Sequence, residues 1–566
     1  MNIHSLRRSL VLTSCLATSG CGSAPQAKVP QAVGTSASST TELPADDTAP
    51  EDSGNDSGTT DSGWDTAADT GDPEVDADAD GHPVETDCDD TDPSRYPGAP
   101  EVCDDDVVND CEGSEWSARI ECGTVHTHED ALGTWSLGTD QSHSFRVRGV
   151  GDIDGDGFDD LAIGEPRFSN SETSVGSVRL FYGPHTGQYS LGDEDVHIQG
   201  IDRWDSIGWD VAPMGDLDGD GFDDFAVGAA DDHQNGEFVS GTPSVYVVHG
   251  PGALLDVGHG QLLVDTTSSP ECLGSVLEPV PDSNGDGVAD ILVGGRCANV
   301  VRLFSGNSSA QVPEVDDITT FTGPDTESRF GHAIATGDLD GDGHLDVAIG
   351  DPDYYGDYNG SVSVFASPSS STISYSDAAA TVQAVDSDSG TGNVLLGTGV
   401  AIGDLNDDGY DDLATGAPAW TASPEWGMDE GLLSVYFGPV AGHYGVSDAD
   451  FHMSGEQDRS MIGGEMRSGV DLDGDGADDL LVGNGYNEVN GTGASRYTRG
   501  TAAYLLHAPI PTGVWNAIDA DVLFVDTSTS PVFGQHTSVL PDSNGDGRAE
   551  VLIGNWYETV HLFEVP

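Results

Sequence analysis

Asp152, Asp154, Asp156 and Asp160 stand at positions 1, 3, 5 and 9 of the run DIDGDGFDD. In a tight turn this alternation gathers four carboxylates on one side, where they repel unless they share a cation. The backbone carbonyl of Phe158, at position 7, adds an uncharged oxygen, and Gly155 and Gly157 permit the turn. Six to eight oxygens in a flexible cage are what Ca2+ takes. Asp-rich turns also stabilise themselves by side-chain hydrogen bonds without any ion. Recurrence decides between the two readings, because the run returns six more times at intervals of 56 to 71 residues.

The second loop offers Asp216, Asp218, Asp220, Phe222 and Asp224, and the third Asp282, Asn284, Asp286, Val288 and Asp290. The fourth offers Asp338, Asp340, Asp342, His344 and Asp346, and the fifth Asp404, Asn406, Asp408, Tyr410 and Asp412. The sixth has Asp471, Asp473, Asp475, Ala477 and Asp479, and the seventh Asp542, Asn544, Asp546, Arg548 and Glu550. In each, position 7 contributes only its carbonyl. The Asn residues and Glu550 weaken the hold on calcium at their loops. An EF-hand carries an acid at position 12. Here that place is Ile163, inside the next apolar run, so the expected site lies on a β-hairpin.

The elements around the loops are strands. Each loop precedes a short apolar run ending in Gly (LAIG, FAVG, ILVG, VAIG), and further β-patterned runs follow between Gly- and Pro-rich turns. One repeat shows four: the run into Asp216, then 224–228, 244–249 and 261–265. Four antiparallel strands at this period make a propeller blade. The fold class expected is all-β, a seven-bladed β-propeller over residues 130–566. The last repeat lacks a fourth strand, and residues 134–139 look like an orphan one that closes the ring and removes an exposed edge. Residues 193–208 resemble 448–463, and DTTSSP at Asp265 resembles DTSTSP at Asp526, so blades 1, 2 and 3 read as duplicates of blades 5, 6 and 7.

The repeat resembles the FG-GAP repeat of integrin α-chain propellers. Phe330-Gly331 and Phe533-Gly534 carry the FG, Gly416-Ala417-Pro418 carries the GAP, and the pair drifts to Ile207-Gly208 and Leu273-Gly274 elsewhere. The resemblance implies loops joining strands 1 and 2 on one face and ligands met on the other.

The chain carries 100 Asp+Glu against 18 Lys+Arg, a formal net charge of −82. Phosphate backbones and anionic lipid both require Lys and Arg, so nucleic acid is not an expected partner and any membrane contact is through a lipid anchor. Arg7 and Arg8 precede an apolar run over 10–16 and small residues up to Cys21, which reads as an export signal and resembles a bacterial lipoprotein signal with Cys21 lipidated. Leu12-Thr13-Ser14-Cys15 offers a second lipobox-like run, and an ordinary cleaved signal peptide is the plainer reading. The expected location is the outer surface of a bacterial cell, lipid-anchored, or the medium. After the signal (1–21), residues 22–75 are Ser, Thr, Gly, Asp, Pro and Ala, a disordered acidic stalk.

Residues 76–122 are rich in Asp and Cys. Asp76, Asp78, Asp80 and Asp87 take calcium-loop positions 1, 3, 5 and 12. Asp87-Cys88-Asp89-Asp90, Asp92, Pro97-Gly98-Ala99, Glu101, Cys103-Asp104, Asn109-Asp110-Cys111 and Gly113 resemble a short metal-binding motif of bacterial surface proteins. Asp105 stands where that family has Gly. An acidic, disulfide-stapled spacer is the alternative. Six Cys remain beyond Cys21, an even number in an oxidising compartment. Cys272 and Cys297 fall in turns at one end of blade 3 and are expected to pair. Cys88, Cys103, Cys111 and Cys122 then pair locally.

No GxSxG, HExxH, Walker loop or CxxC occurs, and no enzyme is expected. His126, His128 and Glu129 form HTHED, a weak zinc signal that reads better as strand residues. The expected function is adhesion or recognition of a protein or glycan. The alternatives are an extracellular enzyme built from top-face loops and a purely structural surface protein. The turns between strands 2 and 3 are long in blades 4, 5 and 6 and carry Tyr354 and Tyr355, Trp420 and Trp426, and Tyr486 and Tyr497. Rigid aromatics of this kind are enriched at binding hot spots, though they also pack their own loops.

Overall fold

The computed structural model describes Arg95 and the chain from 125 to 565, with short internal segments left out. Cys21, the 76–122 segment apart from Arg95, Cys272, Cys297, Tyr354, Tyr355, Trp426, Tyr486 and Tyr497 lie outside the described residues.

Seven sheets follow one another in sequence, each a blade built on four antiparallel strands. Blade 2 runs Ile207–Gly215, Asp224–Ala229, Ser244–His249 and Gln261–Asp265, the four strands expected. First strands of successive blades adjoin around the ring, and Arg146–Gly151 of blade 1 adjoins Phe533–Leu540 of blade 7. Closure occurs as the sequence implied. Gly133–Ser136 pairs antiparallel with Thr559–Glu564, so the start of the propeller supplies the fourth strand of its last blade.

The strand pattern makes each blade apolar on both faces. Second strands such as Asp160–Glu165 and Asp346–Asp351 are buried throughout. Seven hydrophobic cores result, one in every gap between neighbouring blades; Val211, Phe225 and Val227 of blade 2 meet Val178, Leu180 and Ile198 of blade 1 in one of them. The Gly near the end of the second strand has a packing reason in blades 1 to 6. A Cβ on Gly416 of blade 5 would overlap the carbonyl oxygen of Gly463 in blade 6, whose φ of +83° is itself a glycine conformation. The FG-type pair and the run-ending Gly are thus two halves of one contact between blades.

Some repeats carry a short strand besides the four antiparallel ones. In blades 1, 4, 5 and 6 the chain makes an excursion between strands 3 and 4, and its short strand adds in parallel to the fourth strand of the preceding blade. Gly187–Ser190 joins Gly133–Ser136, Thr372–Ser374 joins Asp317–Thr322, Gly442–Gly445 joins Ala380–Gln383, and Gly513–Asn516 joins Phe451–Ser454. In blade 7 this connection is where the propeller closes on itself, and Val125–Thr127 takes the role against Val522–Val525. Three of these clip strands lay a ring on the partner blade. Tyr189 stacks on Trp135 at 4.9 Å, Trp515 meets Phe451 edge-on at 5.4 Å, and His126 stacks on Phe524 at 5.5 Å. His126 therefore belongs to the closure of the propeller, while His128 faces His561 at 6.2 Å.

Candidate metal centres on the loop face

Each acidic run joins strand 1 to strand 2 of its blade, so all seven open at one end of the propeller. Backbone N–H groups fold each run around its own acids. In loop 1, Asp152 Oδ1 accepts from Gly155 at 2.7 Å and Asp156 at 3.0 Å, and Oδ2 accepts from Gly157 at 2.9 Å. Asp154 Oδ1 accepts from Asp156, and Asp156 Oδ1 from Phe158. Asp160, fully buried at the start of strand 2, accepts from Ile153 and from Gly183 at the end of strand 3. Loop 2 repeats this set through Asp216, Asp218, Asp220 and Asp224.

These bonds also set the electrostatics. Burial pushes the Asp160 carboxyl up to about 7 against its two backbone hydrogen bonds, and Asp154 and Asp152 push the same way. Burial likewise takes Asp412 to about 7 and Asp346 to about 6. Asp154 is raised by burial and by the Asp156 charge. Oxygens from Asp152, Asp154 and Asp160 lie within 4.8 Å of one another, as do those of Asp216, Asp218 and Asp220 and of Asp338, Asp340 and Asp346. Oxygen donors massed in this way fit a hard divalent cation, which would reverse the upward shifts by holding the acids ionised.

The substituted loops keep the fold but change the donors. Asn284 and Asn544 still accept from Asp286 and Asp546 at 2.9 Å, but the Asn284 amide donates to Asp290 Oδ1 and Ser305 Oγ. Glu550 retains the bond from Ser543 at 2.8 Å. Loop 5 has Asp407 where the others have Gly, at φ +58°.

Neighbouring loops are tied together. The Asp152 N–H donates to Asp223 Oδ2 at 2.9 Å, Asp338 to Asp411 at 2.6 Å and Asp404 to Asp478 at 3.2 Å. This acid, at position 8, belongs to the next blade's loop. Loops 3, 4 and 7 have Ala289, Leu345 and Ala549 there and lack it. Two further ligand candidates come from the ends of third strands: His249 adjoins Asp218 and Asp224, and His507 adjoins Asp473 and Asp479. Both lie too far from the loops in sequence for spacing to reveal them.

At the opposite end, Trp420 is the one described residue among the six aromatic candidates. It is half-buried against the core between blades 4 and 5, and its carbonyl accepts from Glu430 and Gly431.

Comparison with known proteins agrees with this architecture. The FG-GAP repeat model matches residues 149–181 and 396–430, the FG-GAP-like repeat model 282–349, and a model described as "Putative metal-binding motif" 87–115. Human integrin alpha-IIb is 32% identical over 160 residues, covering 27% of this chain and 15% of that protein. Integrin alpha-PS2 of Drosophila melanogaster is 31% identical over 172 residues (28% and 12%), and integrin alpha pat-2 of Caenorhabditis briggsae 26% over 239 residues (40% and 18%). The chain thus spans less than a fifth of the length of these relatives. It is a seven-bladed β-propeller carrying FG-GAP repeats similar to those of integrin α-chains, preceded at 87–115 by a match to a metal-binding motif.

Proposed function

We propose that this chain is a calcium-loaded recognition propeller of a cell surface, which adheres to or captures a protein or glycan through the face opposite its acidic loops. The observation that carries the reading is the set of seven backbone-braced carboxylate clusters at one end of one ring. In a chain of net charge −82 they need cations to relieve their repulsion. Oxygen-only donor sets suit Ca2+, and extracellular modules hold it at about 10⁻⁴–10⁻³ M. The similarity to integrin α-chains supports a surface adhesion or ligand-binding role. In this reading the long turns that carry Tyr354, Tyr355, Trp420, Trp426, Tyr486 and Tyr497 supply the aromatic contacts.

The same reading has the leader (1–21) export the chain and Cys21 anchor it through lipid. The 22–75 stalk holds the propeller off the surface, and the 76–122 segment binds a metal. Cys272 and Cys297 form a disulfide in blade 3. Their neighbours support that pairing, since the Gly274 N–H, two residues after Cys272, donates to Gly294 O, three residues before Cys297, at 3.0 Å.

The test is thermal unfolding in excess chelator and in millimolar calcium, followed by glycan and protein array screens under both conditions. Ligands binding only the native state raise stability by mass action. Coincident melts would remove the calcium reading. Array binding indifferent to calcium would separate recognition from the loops.

A further inference from the structure

We infer that two of the seven loops, those of blades 2 and 6, are mixed nitrogen–oxygen sites for a first-row transition-metal dication of the zinc and cobalt class, while the other five keep oxygen donors for a hard cation. The inference rests on the reading of the loops as metal sites and specifies which ion each takes.

His249 is the last residue of strand 3 in blade 2, and the next N–H, of Gly250, donates to Asp224 Oδ1. Its Nδ1 lies 3.0 Å from Asp224 Oδ2 and 3.7 Å from Asp218 Oδ2. His507 stands at the matching place in blade 6, with the Ala508 N–H on Asp479 Oδ1. Its Nδ1 lies 3.4 Å from Asp479 Oδ1 and 3.5 Å from Asp473 Oδ2. In each triad the three donor atoms lie within 4.8 Å of one another. Donors about 2.0–2.2 Å from one ion sit about 2.8–3.6 Å apart in octahedral or tetrahedral geometry, so these separations approach those of a shared ion. Imidazole suits zinc and its neighbours, whereas calcium takes oxygen.

The place is otherwise held by Tyr182, Ser305, Ala366, Phe437 and Glu564, none of which brings an imidazole. In blade 3, Ser305 Oγ donates to Asp286 Oδ2 at 3.1 Å, closing that loop on itself. Blades 2 and 6 are also equivalent under the internal duplication, so one mixed site copied with its blade accounts for both.

The rival arrangement is an imidazolium standing in for the cation. It predicts the opposite outcome, because removing it would strengthen metal binding. The experiment uses the full chain, stripped with chelator and refilled with excess calcium. It is titrated with Co2+ followed by visible d–d absorption, and with Zn2+ followed by calorimetry. The wild type is expected to take up two equivalents that calcium does not displace and that the His249→Ala, His507→Ala double variant loses, one per single substitution, with affinity at each altered loop falling at least tenfold. Taking the difference removes any metal held by the 87–115 motif. Uptake unchanged or tightened in the double variant overturns the inference. Calcium stabilisation that fails while His-dependent cobalt uptake persists refutes the calcium reading and leaves the mixed sites standing.

Discussion

The Phe222 ring of loop 2 lies across Gly155 of loop 1, so close that a Cβ on Gly155 would overlap Phe222 Cε1. Tyr410 covers Gly341 and Phe158 covers Gly545 in the same manner. An aromatic at position 7 thus roofs the glycine at position 4 of the preceding loop. Where that glycine is replaced, by Asp407, the following loop carries the small Ala477. Position 7 therefore packs between loops, besides the carbonyl role expected of it.

This contact predicts an asymmetry between two glycines of one loop. Gly157 has φ +94° and open space around its Cβ position, so Gly157→Ala should cost only left-handed strain, about 1–2 kcal/mol. Gly155→Ala adds overpacking against the ring, a further 1–3 kcal/mol or so. Phe222→Ala should rescue Gly155→Ala but not Gly157→Ala in chemical denaturation. Equal rescue of both would show that the ring contact is unimportant.

The Asp223 carboxylate predicts a link between blades. Asp223→Ala leaves the Asp152 N–H without its acceptor, at a cost of about 1.5–3 kcal/mol for a bond to a charged group. Amide exchange at Asp152 should accelerate together with the loss of stability. Asp223→Asn, which keeps an acceptor oxygen, should lose less.

The clip strands predict that stability depends on residues at blade rims. Tyr189, half-buried and stacked on Trp135 at an interplanar angle of 8°, should cost about 1–3 kcal/mol as Tyr189→Ala. Val514, also on a clip strand but 77% exposed, should stay within about 0.5 kcal/mol as Val514→Ala. Similar melts for the two variants would mean that the clips contribute nothing through their rings.

A pH dependence follows from the axis of the ring. Glu465 of blade 6 takes Arg467 at 3.0 Å, His536 at 3.3 Å and both Arg146 and Arg148 at 3.5 Å, and Arg148 reaches Asp210 at 3.6 Å. Burial opposes its charge, but the His536 hydrogen bond and these guanidinium groups hold the Glu465 carboxyl well below the usual carboxylate range. Glu278, lining the same cavity from blade 3, is pushed up to about 7 by burial, against the pull of Arg467 and Arg148. A carboxyl raised on folding binds more protons in the native state between pH 4.5 and 7, so its contribution to stability falls as pH rises through that window. Glu278→Gln cannot ionise. The gap in melting temperature should therefore move in favour of the variant from pH 5 to pH 8. A gap independent of pH would contradict the raised carboxyl. Glu465 does not interfere in this window, because its stabilisation is lost only as pH falls below the ordinary carboxylate range.

The nine-residue loops, the strand runs and the orphan strand that closes the ring were determined by the sequence alone. Each depends on neighbours along the chain: alternating Asp residues reach one centre within a single turn, and apolar runs between turn residues form strands wherever they pack. Seven repetitions then specify the ring. The tertiary structure decided what joins the blades. The Gly416–Gly463 approach, the Asp223 bond to loop 1, the Phe222 roof and the Tyr189 clip each unite residues from different repeats. A side chain's type does not disclose which distant backbone it will meet. Nothing in the sequence ties His249 and His507 to the acids, because they stand 25 and 28 residues beyond the last acid of their respective loops. Only antiparallel pairing of strands 2 and 3 returns them to it, since a hairpin places the end of one strand beside the beginning of the other.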